Sequence, residues 1–287
     1  MKPFSLNRRD FLKLSVTSLC GVCLAACGNR LPAAETSQEY WQANEKRLMK
    51  DCSSMLNAAR AWMVELCGET ETDAVLAESQ AAYQTLLPQV PFIGGDDNTL
   101  TETLYMSAVA LALYRSMQAH GQPLEETGRI LYRVMESLAN FNDPLASAQS
   151  RNPTGKAAQD EFRRMARWSE QSPYPDDWKL SFVEGDGQNF DFGVDYTACG
   201  LVKFYQAQNA VELAPYMCLG DFLISQAMDS GLVRTTTLAR GGACCDFRFK
   251  AGRPVQMEWT PPFLTEDAAD LDKGLRINSR LQKWKPM

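Results

Sequence analysis

The spacing of the apolar residues changes once along this chain, and that change limits its architecture more than any other feature of the 287 residues. From Trp41 to Leu66 the apolar positions Leu48, Cys52, Met55, Leu56, Ala59, Trp62, Met63 and Leu66 recur at three and four residues, an amphipathic helix ended by Gly68. Thr72 to Leu87 predicts a second helix, stopped by Pro88 and Pro91, and Asn98 follows in a turn from which it can cap the next helix. Residues 99–119 are apolar nearly all round, the mark of a central helix, which closes at His120-Gly121. Further helices are expected over about 123–141 and 154–171. After Ser172-Pro173-Tyr174-Pro175 the spacing becomes two: Trp178–Val183 and Phe190–Tyr196 alternate, with the hairpin signal Gly185-Asp186-Gly187 between them. A short helix from Leu201 and one from Pro215 to about Asp229 precede two more expected strands, Leu232–Ala239 and Cys244–Phe249. The resulting fold class is α+β, with an N-terminal helical region (41–175) packed on or beside a C-terminal antiparallel sheet with a helical crossover (176–255). An irregular tail follows over 256–287.

The first 27 residues read as an address. Asn7-Arg8-Arg9-Asp10-Phe11-Leu12-Lys13 sets paired arginines before a hydrophobic run from Leu14 to Ala26, as in a twin-arginine export signal, and the run is too short to span a membrane. Leu24-Ala25-Ala26-Cys27-Gly28 resembles the lipobox of bacterial lipoproteins, which implies diacylglycerol on the Cys27 thiol and Cys27 as the mature N-terminus. Residues 28–40 are then a tether holding the domain off the membrane. The chain is expected in the cell envelope, lipid-anchored, after carriage in folded form by the twin-arginine translocase. A signal segment without lipid is the plainer alternative. Cys20-Gly21-Val22-Cys23 has redox or zinc spacing but lies in the run that processing discards.

Net charge is −6 for the full chain and −9 without the first 27 residues, where 25 basic residues face 34 acidic ones, so nucleic acid is not an expected partner. With 45% hydrophobic and 22% charged residues the chain is globular rather than disordered. A single histidine, His120, excludes sites built on two imidazoles, and its place beside helix-terminal carbonyls has an ordinary electrostatic explanation. Six unlipidated cysteines remain: Cys52, Cys67, Cys199, Cys218, Cys244 and Cys245. Cys52 and Cys67 belong to an apolar helix stripe and its end. An even number of thiols in an oxidising compartment also allows three disulfides.

Chemistry concentrates after residue 190. Period-two geometry puts Asp191, Asp195, Thr197 and Cys199 on one face of a strand that stays extended, and Phe190, Phe192, Val194 and Tyr196 on the other. Cys218, Asp221, Phe222 and Ser225 share one helical face, so a thiol and a carboxylate are neighbours. In Cys244–Phe249, Cys245, Phe247 and Phe249 point one way and Cys244, Asp246 and Arg248 the other. The ends of these strands and the Cys218–Asp221 helix face are expected to enclose a small polar pocket.

Four blocks in order, Tyr196-Thr197-Ala198-Cys199, Met217-Cys218-Leu219-Gly220-Asp221, Thr237-Leu238-Ala239-Arg240-Gly241 and Cys245-Asp246-Phe247-Arg248-Phe249, resemble the L-2-amino-thiazoline-4-carboxylate hydrolase family over about residues 178–250. The resemblance implies opening of a cyclic amidine to N-carbamoyl-cysteine, with attack at the amidine carbon and departure of the ring sulfur. It implies catalytic roles for Cys199, Cys218, Asp221, Cys245 and Asp246. A thiolate can add to that carbon, or an acid such as Asp221 can activate water directly. Asp221, Asp195 or a second cysteine is then available to protonate the leaving groups. Arg240 or Arg248, with Asp195 and Thr197, is expected to hold a small-molecule substrate, against the alternative of ordinary ion pairs for the arginines. No cofactor or metal is implied. Cys244 is additional to the family pattern, and a vicinal disulfide with Cys245 would silence that position. Two other classes fit the same residues: a thiolate metal or iron–sulfur module, and a non-catalytic ligand-binding surface lipoprotein.

Overall fold

The computed structural model describes residues 36–139 and 152–265. The paired arginines, the hydrophobic run and Cys27 lie outside the described residues. Helix α1 (Ser37–Cys67) starts with a capping box in which Thr36 and Glu39 exchange side-chain and backbone hydrogen bonds, so the end of the stretch assigned as tether is helical. Its stripe of Leu48, Cys52, Met55, Leu56, Ala59 and Met63 is buried as its spacing requires. Gly68, at φ +80°, breaks the chain into α2 (Glu69–Leu86). Helix α3 (Thr101–Ala119) is buried on nearly every side, packed by α1, α2 and α4 (Leu124–Ala139). At its end His120 lies between Glu71 and Glu78 of α2. No helix among the described residues is long and apolar enough to cross a membrane.

Helix α5 (Lys156–Gln171) lies against the sheet, formed by β1 (Lys179–Glu184), β2 (Phe192–Ala198) and β3 (Cys245–Phe249), antiparallel in the order β1-β2-β3. The β1–β2 hairpin is tied by Asp186, whose carboxylate accepts from the backbone N–H groups of Gln188, Asn189 and Phe190. Between β2 and β3 run α6 (Gly200–Ala207), α7 (Ala214–Met217) and α8 (Gly220–Met228). The single helix expected from Pro215 therefore divides at Cys218 and Leu219, although both keep right-handed helical geometry. Gly128 of α4 lets α7 approach closely, since a Cβ there would fall 2.0 Å from the Tyr216 ring.

The expected strand over Leu232–Ala239 does not form. Val233 alone makes bridges, antiparallel to Arg248 and parallel to Gln256, and Leu238–Arg240 is a 3-10 turn. The threonines between are otherwise engaged: Thr235 and Thr236 donate to Asp246, and Thr237 caps the turn. The stretch assigned as an irregular tail is ordered at its start. Phe263 and Leu264 are buried in a second apolar cluster with Tyr132, Tyr216, Leu219 and Leu223, and the Trp259 ring meets Tyr216 edge-on at 5.2 Å.

Candidate functional site

One face of the sheet, α5 and α8 enclose a cavity of about 270 Å³. The β2–β3 register sets its back wall: Tyr196 pairs with Cys245 and Phe192 with Phe249, all four lining the cavity with Phe247 between. Cys245, Phe247 and Phe249 share the face that alternation assigns them. Cys199 does not follow its expected face. The β1–β2 pairing steps from Leu180↔Tyr196 to Lys179↔Ala198, two residues of β2 against one of β1, so a bulge at Thr197 shifts the alternation. Cys199, at the start of α6, consequently joins Tyr196 on the cavity wall while Asp195 and Thr197 remain outside.

Helix α8 supplies the opposite wall with Asp221 and Ser225, and Cys218 enters just before it. Cys199, Cys218, Cys245 and Asp221 thus border one cavity. Most of the remaining wall is apolar, contrary to the polar pocket expected from sequence. All six cysteines among the described residues are free, so neither three disulfides nor a vicinal Cys244–Cys245 bridge is formed. Among the described residues no group of three or more His, Cys, Asp or Glu side chains is placed to hold a metal ion.

A residue that sequence reading passed over organises the polar end. Arg234 is 2% exposed and spends its donors on three neighbours. Its Nη1 donates to Asp221 Oδ2 at 2.7 Å, Nε and Nη2 donate to the two oxygens of Glu258 at 3.0 Å each, and Nη2 also reaches the Cys218 carbonyl at 3.3 Å. Its guanidinium lies 4.6 Å from the Phe222 ring centre and 5.1 Å from that of Phe247. Pairing with Arg248 and Gln256 through Val233 and its own backbone N–H holds Arg234 in place. A charge within Leu232-Val233-Arg234 was the available signal, whereas Glu258 lies in a stretch with none.

Burial raises the pKa of the Asp221 carboxyl, and Arg234 opposes that rise. Asp221 keeps 39% of its side-chain surface accessible, on the cavity it lines. The three thiols are also pushed up by burial: Cys218 well above the ordinary thiol value, Cys199 to about 12, and Cys245 by a rise that hydrogen bonds oppose. Cys245 Sγ accepts from the Leu238 N–H at 3.2 Å and lies 3.3 Å from the Thr237 hydroxyl, both in the Thr237–Gly241 block. Donors of this kind favour the charged form of a thiol.

Five other candidates lie elsewhere. Asp246 is bound to Thr235 and Thr236 on the far side of β3. Arg248 donates to Asp195 at 2.7 Å on that same outer face, which removes Asp195 as a proton donor to the cavity. Arg240 stacks on the Trp259 ring at 4.9 Å. With Thr197, which is exposed, none of these residues lines the cavity.

No curated protein and no solved structure matches the chain. A family model described as L-2-amino-thiazoline-4-carboxylic acid hydrolase matches residues 102–249, just over half of the sequence. The match takes in the buried helix α3 as well as the cysteine blocks, so the likeness reaches well into the helical half, beyond the stretch over which the motifs were legible. On that extent the chain belongs to the L-2-amino-thiazoline-4-carboxylic acid hydrolase family.

Proposed function

We propose that this chain is an exported, lipid-anchored hydrolase that opens cyclic amidines of the 2-aminothiazoline type by cysteine and carboxylate chemistry. The carrying observation is the convergence of Cys245 and Asp221 on one cavity beside Arg234. Cys245 is the nucleophile, because the Leu238 N–H and the Thr237 hydroxyl offset the burial of its sulfur. Its proton passes to Asp221, whose burial favours the protonated form of the carboxyl group. The sulfur adds to the amidine carbon, the bond from that carbon to the ring sulfur breaks, and the departing sulfur takes the proton from Asp221. Water, deprotonated by Asp221, then adds to the same carbon. Cys245 is expelled and reprotonated, and the carbon is left as a carbamoyl group. One water is consumed for each ring opened. Cys199 and Cys218, held as thiols by burial, shape the wall.

The test is incubation of the full chain, kept reduced, with 2-aminothiazoline and with its 4-carboxylate, following addition of one water by mass spectrometry. Cys245→Ser and Asp221→Asn should each lower the rate by about a hundredfold or more, the range for loss of a nucleophile or proton carrier. Cys67→Ser, at the end of α1, should not. Folded wild type that opens neither ring, or folded variants as fast as wild type, would refute the reading.

A further inference from the structure

We propose that the cavity selects a cationic amidine or isothiourea carrying an apolar arm in place of a carboxylate, because Glu258 occupies the guanidinium that a substrate carboxylate would need. The proposal rests on the hydrolase reading and specifies the substrate of that cavity. Arg234 is the only Lys, Arg or His side chain lining it among the described residues. Glu258 takes Arg234 in a two-pronged pair and Asp221 takes a third donor, so two carboxyl groups face one guanidinium. The Glu258 side chain is itself only 9% exposed, so this pairing is built into the interior rather than laid on the surface. Residue 258 lies beyond the family match, which ends at 249, so nothing in that match assigns it.

The other arginines of the region are committed away from the cavity, Arg240 to the Trp259 ring and Arg248 to Asp195. A carboxylate brought to the polar end would therefore meet Asp221 and an already neutralised Arg234. An amidinium would instead present paired N–H groups to the open side of Asp221, with its central carbon near the Cys245 wall. A substrate cation also restores the balance that the second carboxyl group upsets.

The sheet grades the cavity toward its other end. The cross-strand pair at one end is Tyr196 and Cys245, and four residues along β3, about 13 Å at the ordinary strand rise, it is Phe192 and Phe249. Phe192 and Phe249 stack with centroids 4.8 Å apart, and Phe162 of α5 closes on them at 5.4 and 5.7 Å. A cavity of about 150 Å³ holds benzene. The space of about 270 Å³ found here has room for an amidine head and a ring-sized apolar arm.

Calorimetric titration of the reduced full chain with three probes tests this: S-benzylisothiouronium, 2-aminothiazoline, and 2-aminothiazoline-4-carboxylate. The carboxylate-free ring should bind about tenfold more tightly than the carboxylated ring, the benzyl cation more tightly still. In Glu258→Gln, with Arg234 released, the carboxylated ring should gain about tenfold and the benzyl cation should lose affinity. Should that variant not fold, the wild-type comparison decides alone. Equal or tighter wild-type binding of the carboxylated ring overturns the selectivity, and if that ring is also opened the hydrolase reading stands without it. Absence of binding and of turnover with all three probes removes both.

Discussion

Replacing Arg234 by methionine removes the guanidinium while keeping a side chain of similar length, so the cost reports the charge network rather than an empty space. Three hydrogen bonds to carboxylate oxygens are lost, one at 2.7 Å to Asp221 and two at 3.0 Å to Glu258. Each such bond contributes about 1.5–3 kcal/mol, but relaxation and protonation of a stranded carboxyl group return part of this, so the expected loss is about 3–5 kcal/mol. The loss should depend on pH with a definite sign. Burial already raises the Asp221 pKa and Arg234 opposes the rise, so removing Arg234 raises it further. A carboxyl group with a raised folded-state pKa binds more protons folded than unfolded. Stability then falls as pH climbs above the ordinary carboxylate value, and the deficit of the variant should be smaller near pH 5 than near pH 8. Urea unfolding followed by tryptophan fluorescence at both pH values measures this. Adding Glu258→Met should recover part of the loss, because the second unpaired charge goes with it. A deficit below about 1 kcal/mol, or one that grows toward acid, would contradict a buried pair with Arg234 as the shared cation.

Three further outcomes are expected. His120 joins α3 to Glu71 and Glu78 of α2, which raises its pKa above the ordinary imidazole value; the stabilisation is complete below that value and fades as pH rises through the raised one, so wild type, but not His120→Gln, should lose melting temperature on going from pH 6 to pH 9. Gly128→Ala should cost about 1–3 kcal/mol in chemical denaturation, because its Cβ would fall 2.0 Å from the Tyr216 ring, and an unchanged midpoint would show that α4 and α7 part without strain. Replacing Arg8 and Arg9 together with lysine should leave unprocessed precursor inside the cell, and mass spectrometry should find diacylglycerol on Cys27 in the wild type; a free Cys27 thiol would refute lipidation.

The helices and the hairpin were legible because their apolar periods were long and cleanly bounded, as in α1 and around Asp186. Cys245, Phe247 and Phe249 could be placed together because β3 is regular. Cys199 could not, since nothing in Tyr196-Thr197-Ala198-Cys199 marks an extra residue; the bulge arises from pairing with β1. The apparent strand from Leu232 to Ala239 failed for a related reason. Its threonines have β-forming side chains, but their hydroxyl and backbone groups are taken by Asp246 and Cys245. Arg240 and Arg248 were the cations that the family blocks offered, whereas the buried one comes from Arg234 and is paired with a glutamate beyond the family motifs. Long-range pairing of this kind leaves no local pattern.

Thr197 makes the reach of Cys199 into the cavity depend on a count rather than on an identity. Were Thr197 taken into the β1 ladder, with each residue of β2 facing one of β1, β2 would alternate evenly to its end, and the sulfur would turn to the side that carries Asp195 and Arg248. Pairing of β1 from Leu180 to Glu184 would be untouched, as would every residue type in the wall. The one-residue step in pairing at Lys179 is therefore enough to decide whether this thiol faces the cavity, so chains of this family can differ in site chemistry while agreeing in composition at every cysteine.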